Sequence, residues 1–374
     1  MAKRIQFSQT GGPDVLEYAD MTAEEPKAGE VRVRNHAVGL NFIDIYFRTG
    51  LYPAPGLPSG LGTEGAGIVD AVGEGVTHLK EGDRVAYAQG PLGAYAELYV
   101  LPAEKAVKLP DAIEFETAAA CMLKGLTVQY LLRQTYRLPK GETILFHAAA
   151  GGVGSIACQW AKALGVKLIG TVSSPEKAEL AIKNGAWATI DYTKENVVER
   201  VRELTKGDMV PVVYDSVGKD TWETSLDCLQ KRGLMVSFGN ASGPVENVNI
   251  GILNQKGALY VTRPSLNGYA DTRKRLETMS NELFEMLESG KIKVDIAQRY
   301  PLEKAGEAQE ALASRKTTGS TVLVPSMQQD TQATQDAGRS QDVQAPAEEA
   351  PAAQDAGTSQ DHASKDSQDQ DPRA

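Results

Sequence analysis

Apolar positions along this chain follow one period in its first third and another beyond it. Between residues 3 and 100 they fall in short alternating runs: Arg4 to Phe7, Val15 to Tyr18, Val31 to Val38, Gly67 to Val72, Arg84 to Tyr87 and Ala94 to Val100. Alternation of this kind predicts half-buried strands. Gly11-Gly12-Pro13, Pro26 to Gly29, Gly73 to Gly75 and Gly82-Asp83 supply the turns. So many short strands predict an antiparallel, barrel-like domain. One helix, Asn41 to Arg48, interrupts them and leads into a loop holding Pro53, Pro55 and Pro58, and Pro110 to Arg133 reads as mostly helical.

From residue 143 to residue 262 strand and helix alternate. Strands are predicted at Ile144 to His147, Lys167 to Val172, Ala188 to Ile190, Val210 to Tyr214, Leu234 to Phe238 and Leu259 to Thr262, with helical stretches between the first five. Parallel pairing needs such crossovers, so the reading is a doubly wound parallel sheet made of two βαβαβ halves. Beyond it, Leu276, Met279, Leu283, Met286 and Leu287 share one face of a helix over Thr272 to Ser289. A helix over Glu303 to Ser314 and a strand over Ser320 to Val324 then return to the N-terminal domain.

Candidate chemistry enters at the first strand of that sheet. Thr143 to Phe146 is followed by a cluster of Gly151, Gly152 and Gly154, and then Ile156, Ala157, Trp160, Ala161 and Leu164 recur at helical spacing up to Gly165. Strand, glycine turn and helix open a dinucleotide-binding unit. The glycines let backbone N–H groups approach a pyrophosphate, and the helix N-terminus faces the anion. The spacing departs from the common G-x-G-x-x-G because Ala149 takes the first glycine position.

Composition narrows the class further. The chain has 374 residues, enough for two domains, and a net charge of -10. Ten acidic and three basic residues between 326 and 374 account for -7 of that charge, so the body is near -3 and has no basic footprint for nucleic acid. The same segment is built of Gln, Asp, Ala, Ser and Pro, repeats Q-D, and lacks the apolar residues a core needs, so it is expected to be disordered. Cys121, Cys158 and Cys228 lie far apart in apolar contexts, with no C-x-x-C pair. That pattern fits a reducing, cytoplasmic location. No apolar run resembles a signal peptide or is long enough to span a bilayer.

Gly141 to Lys162, G-E-T-I-L-F-H-A-A-A-G-G-V-G-S-I-A-C-Q-W-A-K, resembles the quinone oxidoreductase and zeta-crystallin signature of the medium-chain dehydrogenase/reductase superfamily. G-L-N-F-I-D at Gly39 to Asp44, G-T-E-G-A-G at Gly62 to Gly67 and G-D-R-V at Gly82 to Val85 fit it too, and the resemblance covers residues 3 to 325. It implies a GroES-like catalytic domain over 1–125, an inserted Rossmann domain over 126–264, and a return to the catalytic domain over 265–325, leaving 326–374 outside. It also implies NADPH-dependent reduction of a quinone in the cleft between the domains. Reduction of an alkenal or enone is the alternative on the same scaffold, and a non-catalytic NADPH-binding protein the alternative of another class. Related proteins pair through the edge of the Rossmann sheet, which implies a homodimer joined over Leu253 to Thr262.

Zinc alcohol dehydrogenases of the superfamily use a Cys and a His as catalytic ligands. Asn41 and Thr63 hold the matching places here, and no four close cysteines exist for a structural zinc. His36, His78, His147 and His362 are isolated from one another, so no metal is expected. Hydride chemistry belongs to the cofactor, and the protein owes the acceptor a position and N–H or O–H donors. Candidate donors are Asn41, Tyr46, Tyr52 and Lys124.

The resemblance also implies cofactor contacts. Gly152 and Val153 face the pyrophosphate, Ser173 and Lys177 the adenosine ribose, and Tyr192 the adenine. Ser216, Phe238 to Ala241 (Phe238, Gly239, Asn240, Ala241) and Pro264, Ser265 and Leu266 follow later strands. Phe42, Asp44, Tyr46, Tyr130 and Arg315 come from the other domain. The second strand ends in Ser173-Ser174 rather than the carboxylate that would repel a 2′-phosphate, and Lys177 follows, so NADPH is expected over NADH. Glu176 is the one nearby acid, and helical geometry turns it away from Lys177, to solvent or to the helix N-terminus.

Overall fold

The structure is a computed structural model that describes residues 2–315 and 317–326. The disorder expected of the acidic segment therefore falls outside the described residues, Ser326 apart.

The alternating runs become strands β1 (Ala2–Phe7), β2 (Glu17–Met21), β3 (Glu30–Gly39), β4 (Ser59–Gly60), β5 (Gly65–Val72), β6 (Arg84–Tyr87), β7 (Leu98–Pro102) and β8 (Ala106–Lys108), with helix α1 (Phe42–Thr49) between β3 and β4. In β3 every second residue from Val31 is buried, and Val31 and Val33 are sealed from solvent. Pro13 opens a short 3-10 turn over Pro13–Val15, which moves β2 two residues beyond the predicted start. Ala94 N–H is taken by Gly62 O outside any ladder, so β7 begins only at Leu98. The barrel core holds tyrosines because each hydroxyl finds an acceptor: Tyr87 donates to Asn35 Oδ1 at 2.6 Å and Tyr95 to Asp44 Oδ2 at 2.8 Å.

Helix α2 (Phe115–Tyr130) ends in a π-type turn over Leu131–Thr135 and leads to the second sheet. Its elements are β9 (Thr143–Phe146), α3 (Gly152–Leu164), β10 (Lys167–Val172), α4 (Pro175–Lys183), β11 (Ala188–Asp191), α5 (Val197–Leu204), β12 (Val210–Asp215), α6 (Trp222–Asp227), β13 (Leu229–Ser237), α7 (Gly251–Gln255) and β14 (Tyr260–Thr262). The order is β11-β10-β9-β12-β13-β14 and every pairing is parallel. That is the doubly wound Rossmann order, whose ligand crevice opens at the carboxyl ends beside the switch between β9 and β12.

The chain continues through α8 (Leu266–Tyr269) and α9 (Arg273–Glu288) to β15 (Ile296–Pro301), α10 (Ala305–Ala313) and β16 (Ser320–Val324). Strand β16 pairs with β3, and β15 with β16, so the last described strands extend the sheet of the N-terminal domain. The pattern of β15, I-A-Q-R-Y-P, has too few apolar residues to predict a strand. Helix α2 shares one core with α3 and α9, including Leu126, Trp160, Met279 and Leu283. Gly125 makes that possible, because a Cβ there would lie 2.6 Å from Leu283 Cδ1. Among the described residues no helix is long and apolar enough to cross a membrane.

Candidate active site

Strand β9 delivers His147 and a turn over Ala148–Gly151 to the start of α3. No side chain caps α3. Its first N–H groups are left to whatever lies beyond them. A side chain at Gly154 would collide with Ala148 O and come within 2.6 Å of Ala149 Cα, so only glycine fits there. Ala149, in place of the first glycine of the usual fingerprint, fits because Gly170 of β10 carries no Cβ to meet its own.

His147 is buried and sits in a directed chain of hydrogen bonds. Ser225 Oγ donates to Asp215 Oδ2 at 2.6 Å, so at 3.0 Å it accepts from His147 Nε2, and Nδ1 in turn takes the Thr171 hydroxyl at 3.0 Å. Burial holds this imidazole below the usual histidine range, hence neutral. The chain ties the glycine turn to β10, α6 and β12. His147 is thus a brace, in keeping with its isolation from other metal-ligating residues.

After β10 the Ser174 hydroxyl caps α4, accepting from Lys177 N, with Pro175 at the first helical position. Lys177 Nζ donates to Ser173 Oγ at 3.1 Å and to Arg315 O at 2.9 Å, and Arg315 Nη2 donates to Ala241 O at 3.1 Å. Arg315 holds a left-handed backbone, φ 57°, to make the approach. Two cations and a hydroxyl thus converge at the end of β10. Glu176 stays at the helix N-terminus, where the Ser174 hydroxyl and its own N–H hold its carboxyl below the ordinary range.

Asn41 and Lys124 meet a carboxylate that the sequence reading passed over. Glu64 is wholly buried and accepts from Asn41 Nδ2 at 2.6 Å, Leu123 N at 2.7 Å and Lys124 Nζ at 3.3 Å. The available signal was one acid inside the apolar G-T-E-G-A-G run. Tyr46 and Tyr52 reach across from the barrel side. Tyr46 Oη accepts from Asn240 N at 3.0 Å. Asn240, with its amide oxygen turned to the pair, accepts from Tyr52 Oη and Arg263 Nη2, both at 3.2 Å. Burial pushes the Tyr46 phenol up to about 12, so it is a neutral donor. Arg263, also absent from the sequence reading, completes this clasp.

These groups face one cleft of about 1170 Å3. Gly152, Val153, Ser173, Lys177, Tyr192, Ser216, Phe238, Gly239 and Ala241 line it from the carboxyl side of the parallel sheet. Pro264, Ser265, Leu266, Tyr130 and Arg315 line it too, as do Asn41, Phe42, Tyr46, Tyr52 and Lys124. Asp44 is a correction. It has no exposed surface and does not line the cleft, because its carboxylate turns inward to cap α1, accepting from Asn41 N at 2.9 Å and from Tyr95. Asn240 lies at the mouth, within the clasp, rather than on the lining. Thr63 lines the cleft beside Asn41, and among the described residues no group of three His, Cys, Asp or Glu is placed to hold a metal ion.

Comparison with known proteins follows this geometry. Residues 27–111 match the alcohol dehydrogenase GroES-like domain and residues 152–285 the zinc-binding dehydrogenase family. A quinone oxidoreductase of Pseudomonas aeruginosa is 70% identical over 325 residues, covering 87% of this chain and 100% of that protein. The chain belongs to the quinone oxidoreductase family. Within that family a crystal structure from Pseudomonas syringae pv. tomato is 66% identical, with a TM-score of 0.86 over 87% of this chain and all of its own. The Escherichia coli quinone oxidoreductase complexed with NADPH has the same TM-score at 62% identity and the same coverage. The family model over residues 152–285 names zinc-binding enzymes, yet Asn41 and Thr63 offer the cleft an amide and a hydroxyl.

Proposed function

We propose that this chain is an NADPH-dependent quinone reductase that works without a metal ligand set in its acceptor site. The observation that carries the reading is the cleft itself, which brings an uncapped helix N-terminus and a Ser173–Lys177–Arg315 cluster into one space with Asn41, Lys124 and Tyr52, the acceptor end. The residues fit the cofactor: backbone N–H groups suit a pyrophosphate, and two cations beside a hydroxyl suit a 2′-phosphate. When bound, NADPH supplies a hydride, two electrons with a proton, to the acceptor.

In this reading Gly152 and Val153 hold the pyrophosphate, Ser173, Lys177 and Arg315 the 2′-phosphate, and Tyr192 covers the adenine. Ser216, Phe238 to Ala241, and Pro264 to Leu266 flank the nicotinamide ribose and ring with Phe42 and Tyr130. Asn41, Lys124 and the tyrosine hydroxyls offer donors to the acceptor oxygen. Residues 1–125 and 265–325 form the catalytic part and 126–264 the cofactor part, with α2 running through the first boundary. Two copies pair along the edge strand β14, where Tyr260 is 61% exposed and Ile250 nearby is 78% exposed. Cys121, Cys158 and Cys228 are free and buried, in keeping with a reducing compartment such as the cytoplasm.

NADPH oxidation against 1,4-benzoquinone, a naphthoquinone and a 2-alkenal tests the reading. Turnover of the quinones supports it. Turnover of the alkenal alone would replace it with an enone reductase, and no turnover at all with a non-catalytic binding protein.

A further inference from the structure

The buried carboxylate under the acceptor end has no role in the reading above. Glu64 sits where a charge is costly, and the fold is arranged to keep it. A side chain at Gly39 would collide with it, and all three groups facing its oxygens are donors. Two of those donors, Asn41 and Lys124, line the cleft. Lys124 is itself buried, and its aliphatic stem runs beside the glycine turn, since a Cβ at Gly152 would lie 3.0 Å from Lys124 Cδ. The ammonium is thereby held between Glu64 and the cofactor's turn.

We propose that Glu64 is the positioning residue of the acceptor end: its carboxylate fixes the Lys124 ammonium and turns the Asn41 amide, so that Lys124 presents its remaining N–H bonds to a quinone oxygen as negative charge develops there. The idea rests on the quinone-reductase reading. A buried pair is poor evidence of stability, because an apolar pair of similar volume serves as well. Its place beside the cleft points instead to the charge it holds there. An ammonium held by a buried counter-charge needs no reorganisation when the oxyanion forms. The other ionisable groups near Glu64 are Asp44, Cys121, Tyr87 and Tyr95, all buried behind it and none lining the cleft. Lys124 is the cation that this carboxylate serves.

The test compares the wild-type chain with Glu64→Gln, Lys124→Met and the double variant. NADPH dissociation constants are measured by nucleotide fluorescence, and kcat and KM for 1,4-benzoquinone at one pH. Glu64→Gln keeps the shape but removes the charge and leaves an amide nitrogen facing at least one of the three donors. Its kcat is expected to fall about a hundredfold, with NADPH affinity held within about twofold. Its KM for the quinone stays within about twofold while kcat falls, the split expected of a donor that acts as charge develops. The double variant should be no slower than Lys124→Met, since both changes disable one device. Wild-type kcat in Glu64→Gln, a loss that falls on KM or NADPH affinity instead, or losses that multiply in the double variant would overturn the proposal. If Glu64→Gln does not fold, the double variant decides, since it removes both charges together: NADPH bound with turnover about a hundredfold down supports the proposal, and wild-type turnover overturns it. A wild-type chain that turns over no quinone is a failure of the functional reading, distinct from these outcomes.

Discussion

Asp44 illustrates how a single carboxylate sets a pH dependence. Burial pushes it up to about 7, against the Tyr95 hydroxyl and the Asn41 N–H, and Oδ1 has no partner. Between its unfolded value near 3.8 and about 7 the folded chain holds a proton that the unfolded chain has released. Stability from this group is full below that window, falls as pH rises through it and is flat above. His147 works in the opposite sense: its lowered value gives stability present above about 6.5 and lost as pH falls. The difference between variants is therefore the clean measure. Relative to Asp44→Asn, the wild type should lose melting temperature as pH rises from about 4 to about 7, and parallel curves for variant and wild type would contradict the assignment. Lys177 gives a second residue-scale outcome. One charged contact to a phosphate contributes roughly 1.5 to 3 kcal/mol, so Lys177→Ala should weaken NADPH by about ten- to a hundredfold and leave NADH nearly untouched. Equal loss in both titrations would remove Lys177 from the phosphate site.

Among the elements, the glycine turn makes the sharpest demand. A Cβ at Gly154 meets backbone on two sides, whereas one at Gly151 meets only Ala148 O at 3.3 Å. Gly154→Ala should therefore cost about 1 to 3 kcal/mol of stability and at least about tenfold in NADPH affinity, with Gly151→Ala milder in both denaturation and binding. The reverse ranking would contradict the turn geometry. What the sequence revealed of these elements follows the same physics. β6, β10 and β16 are found over the predicted residues because their apolar periods are uninterrupted. β2 and β7 start late because a proline turn and an off-ladder carbonyl decide their ends, and β15 hides behind Gln298 and Arg299. Phe42 and Tyr46 of α1 line the cleft, while Asp44 points into the barrel. Its place three residues after the N-cap Asn41 marked a cap, but the family motif drew it into the site. Glu64 and Arg263 act through partners distant in sequence, Lys124 and Tyr52, and no local pattern carries such a pairing.

At the scale of the whole molecule, the barrel sheet and the parallel sheet share α2, and the cleft lies along the carboxyl ends of the parallel strands. Arrangement of this kind makes the acceptor end a product of both halves, with the Tyr46–Tyr52–Asn240–Arg263 clasp closing it. The edge strand β14 is left open on its outer side, with Tyr260 and Val261 exposed. Tyr260→Glu should shift the particle from dimer mass toward monomer mass in light scattering, and a wild-type mass for the variant would rule that edge out as the pairing surface. The most direct test of the account is anaerobic NADPH oxidation with 1,4-benzoquinone by the purified chain after exhaustive dialysis against phenanthroline. The account predicts one NADPH consumed per quinone at an undiminished rate, with NADH slower. Absence of NADPH consumption in the undialysed chain, or a rate lost with the chelated metal, would contradict it.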